Sequence, residues 1–186
     1  MPKIYTKTGD NGETGLYDGS RLAKTEPIFD VLGTLDELSS HIGVLITLYE
    51  RGWKITCFET LAEISRQIQH SLLNIGRLRQ IQQTLLNIGS VIATPNPEGK
   101  KLPDITGIVE SLESYIDEMD ATLPPLTQFL LVGGTNLSES QAHVCRTVAR
   151  RTEREFLKSG IDNDTIRIWL NRLSDYFFTL ARVLEN

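Results

Sequence analysis

Apolar residues recur at alternating steps of four and three along the last part of this 186-residue chain. The positions are Ile166, Leu170, Leu173, Phe177, Leu180 and Leu184. This spacing puts them all on one side of an α-helix, because a helix turns once in about 3.6 residues. Four earlier stretches have a related periodicity, and segments rich in proline, glycine or polar residues separate them. The sequence therefore predicts an all-α protein.

The four earlier helical stretches are joined by short connections. They cover approximately residues 35–48, 61–92, 105–123 and 138–158. Thr34 is the expected N-cap of the first, with Glu37 completing a capping box, and Asp104 is the expected cap of the third. Helices joined in this way favour an antiparallel five-helix bundle. A chain of this length is predicted to form one domain over residues 1–186.

Charge and apolar content exclude several classes of protein. Lys and Arg number 19 against 24 Asp and Glu, a net charge of -5, whereas nucleic-acid binders carry a basic surplus. No apolar run reaches the ~20 residues of a membrane span, and residues 1–10 lack the pattern of a targeting peptide. We therefore expect no nucleic-acid or membrane partner, and a cytoplasmic location or a mature organellar form. Cys57 and Cys145 are expected to be buried free thiols.

Glycines at intervals of three or four residues indicate an extended N-terminal loop over residues 1–30. They are Gly9, Gly12, Gly15 and Gly19. Backbone N–H groups in such turns can form an anion-binding concavity, although the chain has no Walker phosphate-binding motif. The side chains of Thr6, Lys7, Thr8 and Lys24 could add donors and positive charge to a phosphate site. The alternative is an ordinary surface turn.

One face of the fourth helix carries charged side chains. Arg146, Arg150, Glu153 and Arg154 lie opposite the apolar residues of that helix. Guanidinium groups suit phosphate oxygens, so this face could clamp a polyphosphate, with Glu153 orienting an arginine or a magnesium ion. The alternative is a solvated face with salt bridges one turn apart. No metal-ligand pattern and no nucleophilic triad can be singled out, so we predict no protein-held metal.

The second helical stretch contains an internal repeat. Residues 66–76 and 79–89 are identical at nine of eleven positions with an offset of 13 residues. An offset of 13 residues turns a helix to a point about 140° away, so the two apolar faces would point in different directions. We infer a tandem duplication in which residues 66–78 are an added segment. It is predicted to be a helical extension or a disordered bulge, with a break near Gly76.

Six blocks of sequence, in order along nearly the whole chain, resemble the ATP:cob(I)alamin adenosyltransferases of the trimeric, five-helix type. Three are distinctive: TKTGDNG in the N-terminal loop, the arginine-rich ARRTERE, and LNRLSD near the end of the chain. The resemblance implies a bundle of ferritin-like topology. It also implies a reaction in which cob(I)alamin attacks the 5′ carbon of ATP, forming adenosylcobalamin and releasing triphosphate. An ATP-binding cobalamin carrier without efficient catalysis is the alternative.

The same resemblance assigns residues to the two substrates. Magnesium would bridge the phosphates of ATP, and Arg150 and Glu153 are implied to be catalytic. Phe129 matches the aromatic residue that displaces the lower axial ligand of the corrinoid, and Val132 stands where the family usually has proline. The residues implied to contact ATP are Thr6, Lys7, Thr8, Gly9, Thr14, Lys24, Arg150, Arg151, Glu153, Arg154 and Asn171.

The resemblance also implies partners. Arg146 matches an arginine that pairs with an aspartate, here Asp36, across a subunit interface, and both are implied to be catalytic. The active site would then lie between subunits of a homotrimer. A flavin-type reductase would supply electrons, and a cobalamin-dependent enzyme would accept the product.

Overall fold

Five helices form most of the described chain, as the periodicity predicts. The computed structural model describes residues 5, 7–51, 60–127 and 131–185. Within those ranges the helices are α1 Pro27–Arg51, α2 Leu61–Ile92, α3 Ile108–Asp120, α4 Leu137–Lys158 and α5 Asp164–Glu185. Two short strands precede them, β1 Glu13–Gly15 and β2 Arg21–Ala23. The predicted five-helix, all-α class is confirmed, although part of the N-terminal loop is a β-hairpin.

Helix α1 begins eight residues earlier than the sequence analysis predicts. Pro27 is its first residue, a position that suits proline because the first N–H of a helix has no partner within the helix. Thr34 therefore lies inside the helix, where its hydroxyl donates to the carbonyl of Val31 at 3.0 Å. The predicted N-cap at Thr34 is wrong, and the N-terminal loop ends at residue 26 rather than 30. Val31 is fully buried, so the apolar stripe of α1 starts before Leu35.

Helix α3 begins later than its expected cap. Asp104 accepts a hydrogen bond from the N–H of Thr106 at 2.9 Å, which stabilises a turn rather than a helix end. The residue at the N-cap of α3 is Gly107, whose φ of 70° lies in the left-handed region that favours glycine. Asp104 is thus a turn residue, and its predicted capping role is wrong.

Helix α4 lies between α1 and α5, and its apolar residues share a core with theirs. Helix α2 packs on α1, and α3 packs on α5. Trp169, Tyr176, Phe177, Leu38 and Ile42 are among the largest fully buried side chains. Helices α1 and α4 are antiparallel, as are α4 and α5; ferritin-like topology remains a prediction. The contacts that fix these directions are Thr34–Thr152 and His41–Gln141 for the first pair, and Glu153–Asn171 and Asn136–Leu184 for the second.

By length and composition alone, α1 could cross a membrane, with a mean hydropathy of 1.2 over its most apolar window. Its apolar residues Val31, Leu38, Ile42 and Leu45 are fully buried against the rest of the bundle. The core helix of a soluble protein passes the same test, so one such helix is weak evidence of a membrane span.

The β-hairpin is attached to the C-terminal end of α2. Its strands are antiparallel, with Thr14 opposite Leu22. The N–H of Tyr17 donates to the carbonyl of Ala93 at 2.9 Å, just beyond α2. Lys100 donates to the carbonyl of Tyr17 and lies over its ring. These contacts hold the hairpin at the end of α2, where Tyr17 borders a groove together with Leu32 of α1.

Helix α2 runs without interruption through Gly76, so the predicted break there is wrong. Among its described side chains the first buried one is Asn74, which influences the hydroxyl of Tyr49, two residues before the end of α1. Residues 61–73, which we call the α2 extension, project past that point by about 20 Å at 1.5 Å per residue. The assignment of 66–78 as the duplicated insert remains a prediction, and Leu78 at its end lies in the core.

Deletion of the α2 extension is expected to leave the bundle folded. Removing residues 61–73 takes away the capping box formed by Thr60 and Glu63 but no buried side chain among those described. The free energy of unfolding should fall by less than about 2 kcal/mol, the upper range for loss of a cap. Urea denaturation followed by circular dichroism measures it.

A second deletion of equal length is the matched control. Removing residues 66–78 also takes out 13 residues, but it places Ser65 where the fully buried Leu78 was. This variant should lose about 2–5 kcal/mol, the range for truncation of a buried leucine. Equal losses from both deletions would contradict the assignment of residues 61–73 as an unpacked extension.

Candidate active site

The predicted arginine face of α4 is present on the surface. Arg150 and Arg154 are exposed, whereas Cys145 and Phe156 on the opposite side of the helix are buried. Burial raises the pKa of the Cys145 thiol to about 12, so this cysteine is an unreactive core residue. Within the described part of the chain, the Arg150 guanidinium forms no ion pair. It is therefore available to an anionic ligand.

Helix α5 holds the carboxylate of this face in place. The side-chain amide of Asn171 donates to Glu153 Oε1 at 2.9 Å. Arg172 in turn donates to the side-chain oxygen Oδ1 of Asn171 at 2.9 Å and to Glu113 of α3 at 2.8 Å. Glu153 and Asn171 are thus fixed next to each other, so the predicted polar residues of α4 and α5 lie in one place.

Arg151 points away from this group. Consecutive residues of a helix point about 100° apart around its axis, so Arg151 faces a different direction from Arg150. Its guanidinium pairs with Glu37 of α1. The structure therefore places Arg151 at the α1–α4 contact, apart from Arg150 and Arg154. Its implied contact with ATP stays a prediction.

Several predicted residues of the N-terminal loop lie close together. A Cβ atom at Gly9 would lie 3.1 Å from Nζ of Lys24, so the lysine side chain folds over this glycine. The N–H of Lys24 donates to the carbonyl of Gly12 at 2.8 Å, and Arg21 donates to the carbonyl of Thr8 at 2.8 Å. These two hydrogen bonds join the glycine-rich turn to β2, so the backbone of the turn lies near the ammonium group of Lys24.

Lys7 and Thr14 belong to the same region. Lys7 has a φ of 60°, a left-handed conformation that is uncommon for residues other than glycine and often marks a functional site. Thr14 lies in β1. Thr6 and Phe129 lie outside the described residues.

Asp36 lies in a groove bordered by the hairpin, α1 and α2. The groove has a volume of about 360 Å³, and its lining includes Tyr17, Leu86 and Ala93. Arg146, by contrast, lies on α4, where its Nε–H donates to Nδ1 of His143 at 3.3 Å. We call Lys7, Thr8, Gly9, Thr14, Lys24 and Asp36 the loop half-site. We call Arg146, Arg150, Glu153, Arg154 and Asn171 the arginine half-site.

A buried pair on α4 is absent from the predicted site residues. Nε2 of His143 lies 3.1 Å from Oε1 of Glu139, and the two residues are only 8% and 3% exposed. The pKa of His143 is lowered, chiefly by burial, against an opposing effect of Glu139. The sequence does indicate that Glu139 and His143 could pair, because they are four residues apart on one predicted helix. That spacing also suits a metal, but among the described residues no group of three or more metal-binding side chains exists.

Together these features define a helical-bundle protein with an exposed arginine face suited to phosphate groups. A family model described as Cobalamin adenosyltransferase matches residues 4–184. The chain is 40% identical over 191 residues to Corrinoid adenosyltransferase MMAB of Homo sapiens, covering 98% of this chain and 68% of that protein. It is 37% identical over 188 residues to the Cobalamin adenosyltransferase of Cupriavidus metallidurans, covering 100% and 89%. The chain belongs to the cobalamin adenosyltransferase family.

Solved structures of a PduO-type ATP:corrinoid adenosyltransferase from Lactobacillus reuteri have the same architecture. A single-residue variant complexed with cobalamin and ATP has a TM-score of 0.81 and 32% identity, covering 98% of this chain and 91% of that chain. Another variant, complexed with ATP, has a TM-score of 0.78 and covers 98% and 94%. The similarity extends over the whole bundle.

Proposed function

We propose that this chain transfers the 5′-deoxyadenosyl group of ATP to cob(I)alamin, forming adenosylcobalamin and triphosphate. ATP-dependent adenosylation of a corrinoid is the activity of the family to which it belongs. The observation that carries the proposal at the level of residues is the exposed Arg150 guanidinium, which has no ion pair within the described residues and lies one helical turn before the Glu153 that Asn171 holds. This arrangement offers guanidinium donors to a triphosphate.

The proposed chemistry requires no nucleophile from the protein. Cobalt(I) of the substrate supplies the electron pair that forms the new cobalt–carbon bond. The bond from the 5′ carbon to oxygen breaks, and its electron pair leaves with triphosphate. The protein positions the reactants and stabilises the leaving group, the task for which fixed guanidinium groups are suited. Magnesium would arrive with the phosphates, and Glu153 lies between Arg150 and Arg154 along α4.

We further propose that each active site combines the half-sites of two chains in a homotrimer. The loop half-site is held beside α1 and α2, whereas the arginine half-site lies on α4 and α5. A cyclic assembly brings different surfaces of neighbouring chains together. In that arrangement Asp36 of one chain would pair with Arg146 of the next.

The corrinoid side of the site is proposed to include the segment that follows α3. Phe129 would displace the lower ligand, which favours reduction of cobalt to the nucleophilic state. In the same segment, Val132 stands at the position where proline is usual. We also propose that a flavin-type reductase supplies the electrons and that a cobalamin-dependent enzyme accepts the product. The proposed location is the cytoplasm.

A spectral assay tests the activity. The protein is mixed with ATP, Mg²⁺ and chemically reduced cobalamin, and the visible spectrum and triphosphate release are followed. Loss of the cob(I)alamin spectrum with matching triphosphate release is expected. Tight ATP binding without turnover would instead indicate a carrier, and no ATP binding in equilibrium dialysis would indicate a purely structural bundle.

Complementation between inactive variants tests the shared site. Lys24→Ala removes a cation of the loop half-site, and Arg150→Ala removes one from the arginine half-site. Each variant alone should have little activity. In trimers reassembled from an equimolar mixture, about one quarter of the sites should combine two intact halves and recover activity. If each chain contains a whole site, the mixture will stay as inactive as its components.

A further inference from the structure

A continuous series of hydrogen bonds leads from the arginine half-site to the two glycines before α4. Arg146 Nε–H donates to His143 Nδ1 at 3.3 Å, and His143 Nε2 lies 3.1 Å from Glu139 Oε1. The same carboxylate oxygen accepts the N–H of Gly133 at 3.0 Å. A neutral imidazole with its proton on Nε2 satisfies both contacts of His143. The lowered pKa of His143 agrees with the neutral form.

The carboxylate of Glu139 is bound more extensively than helix capping requires. Glu139 is the third residue of α4, where a glutamate commonly bonds back to the N-cap N–H. Here it bonds three residues further back, to Gly133, while its second oxygen accepts from the Ser140 hydroxyl at 3.3 Å. Ser140 Oγ accepts the N–H of Gly134 at 3.2 Å. One buried carboxylate thus fixes two consecutive loop residues.

The two glycines need such support. Gly133 and Gly134 have φ values of 83° and 109°, a backbone region open to glycine but costly for other residues. Glycine also has the largest conformational entropy to lose when a loop becomes ordered. Because the loop itself is exposed, its conformation depends on these few bonds to α4.

We infer that Glu139 is a positioning residue for the corrinoid, held in place by His143 and through it coupled to Arg146. This inference rests on the proposed function. Glu139 touches no substrate. It fixes the glycine end of the segment assigned to the corrinoid side, and the bond from Arg146 orients the imidazole that donates to it. A defect at Glu139 therefore affects corrinoid binding and leaves ATP binding intact.

Glu139→Ala and the more conservative Glu139→Gln test the inference. In the spectral assay, Glu139→Ala should raise the KM for cobalamin about tenfold or more and leave the KM for ATP within about twofold. Electron paramagnetic resonance of bound cob(II)alamin with ATP should show a several-fold smaller fraction without its lower axial ligand. Glu139→Gln retains one acceptor and should restore part of both quantities.

Glu155→Gln is the matched control, because Glu155 lies on the same helix and pairs only with Lys158 among the described residues. It should behave as the unmodified protein does. The inference is overturned if Glu139→Ala changes neither quantity, or if it raises both KM values equally while Glu139→Gln restores neither. Failure of the proposed function is a separate result, because the unmodified protein would then show no turnover.

Discussion

Replacement of Arg150 by alanine is expected to reduce kcat/KM for ATP by about 100-fold to 1000-fold. The Arg150 guanidinium is exposed on α4 next to a carboxylate that Asn171 holds in place. Loss of one fixed donor to a developing oxyanion costs about 2.7–4 kcal/mol of transition-state stabilisation in enzymes where it has been measured. The assay is steady-state turnover by the visible spectrum at varied ATP concentration.

Two further variants distinguish a specific phosphate contact of Arg150 from a general effect of charge. Arg79→Ala removes an equally charged residue of α2 that pairs with Glu50, 13 residues along α1 from Glu37. It should change kcat/KM less than about twofold, because it affects only the long-range field. Arg150→Lys keeps the charge but loses the planar fork, so it should recover only part of the activity. Unchanged kinetics in Arg150→Ala would remove the arginine half-site from the mechanism.

Helical periodicity predicts the core of this protein more reliably than it predicts helix ends. The stripe of α5 is a good example, since Ile166, Leu170, Leu173, Phe177 and Leu180 are all fully buried. Burial of one face is a cooperative property of many residues, so the pattern survives local exceptions.

Helix ends depend on a few local hydrogen bonds, and the same residues are compatible with more than one helix start. Thr34 and Glu37 match a capping box, yet the helix continues upstream because Val31 extends the buried face and Pro27 suits a first turn. Asp104 likewise bonds to a turn instead of a helix. The true capping box, Thr60 with Glu63, stands at the start of the α2 extension.

In the candidate site, too, periodicity predicts which residues share a helix face but not which contacts they make. A helical wheel predicts that Arg146, Arg150 and Arg154 lie together, but sequence resemblance alone groups Arg151 with them. The contact between Arg151 and Glu37 depends on how α1 packs on α4, which periodicity does not specify. The hydrogen bond from the Gly133 N–H to Glu139 depends on the path of a loop, so the spacing in the sequence could suggest only the pairing of Glu139 with His143.

Replacement of Phe177 by alanine is expected to destabilise the bundle more than replacement of an exposed residue such as Arg150. Phe177 is fully buried on α5, with its ring edge-on to Tyr176 at a centroid distance of 5.3 Å. Truncation of a buried phenylalanine costs about 3–5 kcal/mol, through lost transfer free energy and the cavity left behind. That is a large part of the ~5–15 kcal/mol that typically stabilises a domain. Urea denaturation at one fixed protein concentration measures it, because assembly would make stability depend on concentration.

Phe178 provides the control in the adjacent position. It is half-buried and points about 100° away from Phe177 around α5, so alanine there removes fewer contacts and leaves a site open to water. The expected loss is less than about 2 kcal/mol, because the side chain already retains contact with solvent in the folded chain. A greater loss for Phe178→Ala than for Phe177→Ala would mean that the second ring is buried in the assembled protein. Denaturation of both variants over a range of protein concentrations decides this, since only an interface residue makes the difference between them depend on concentration.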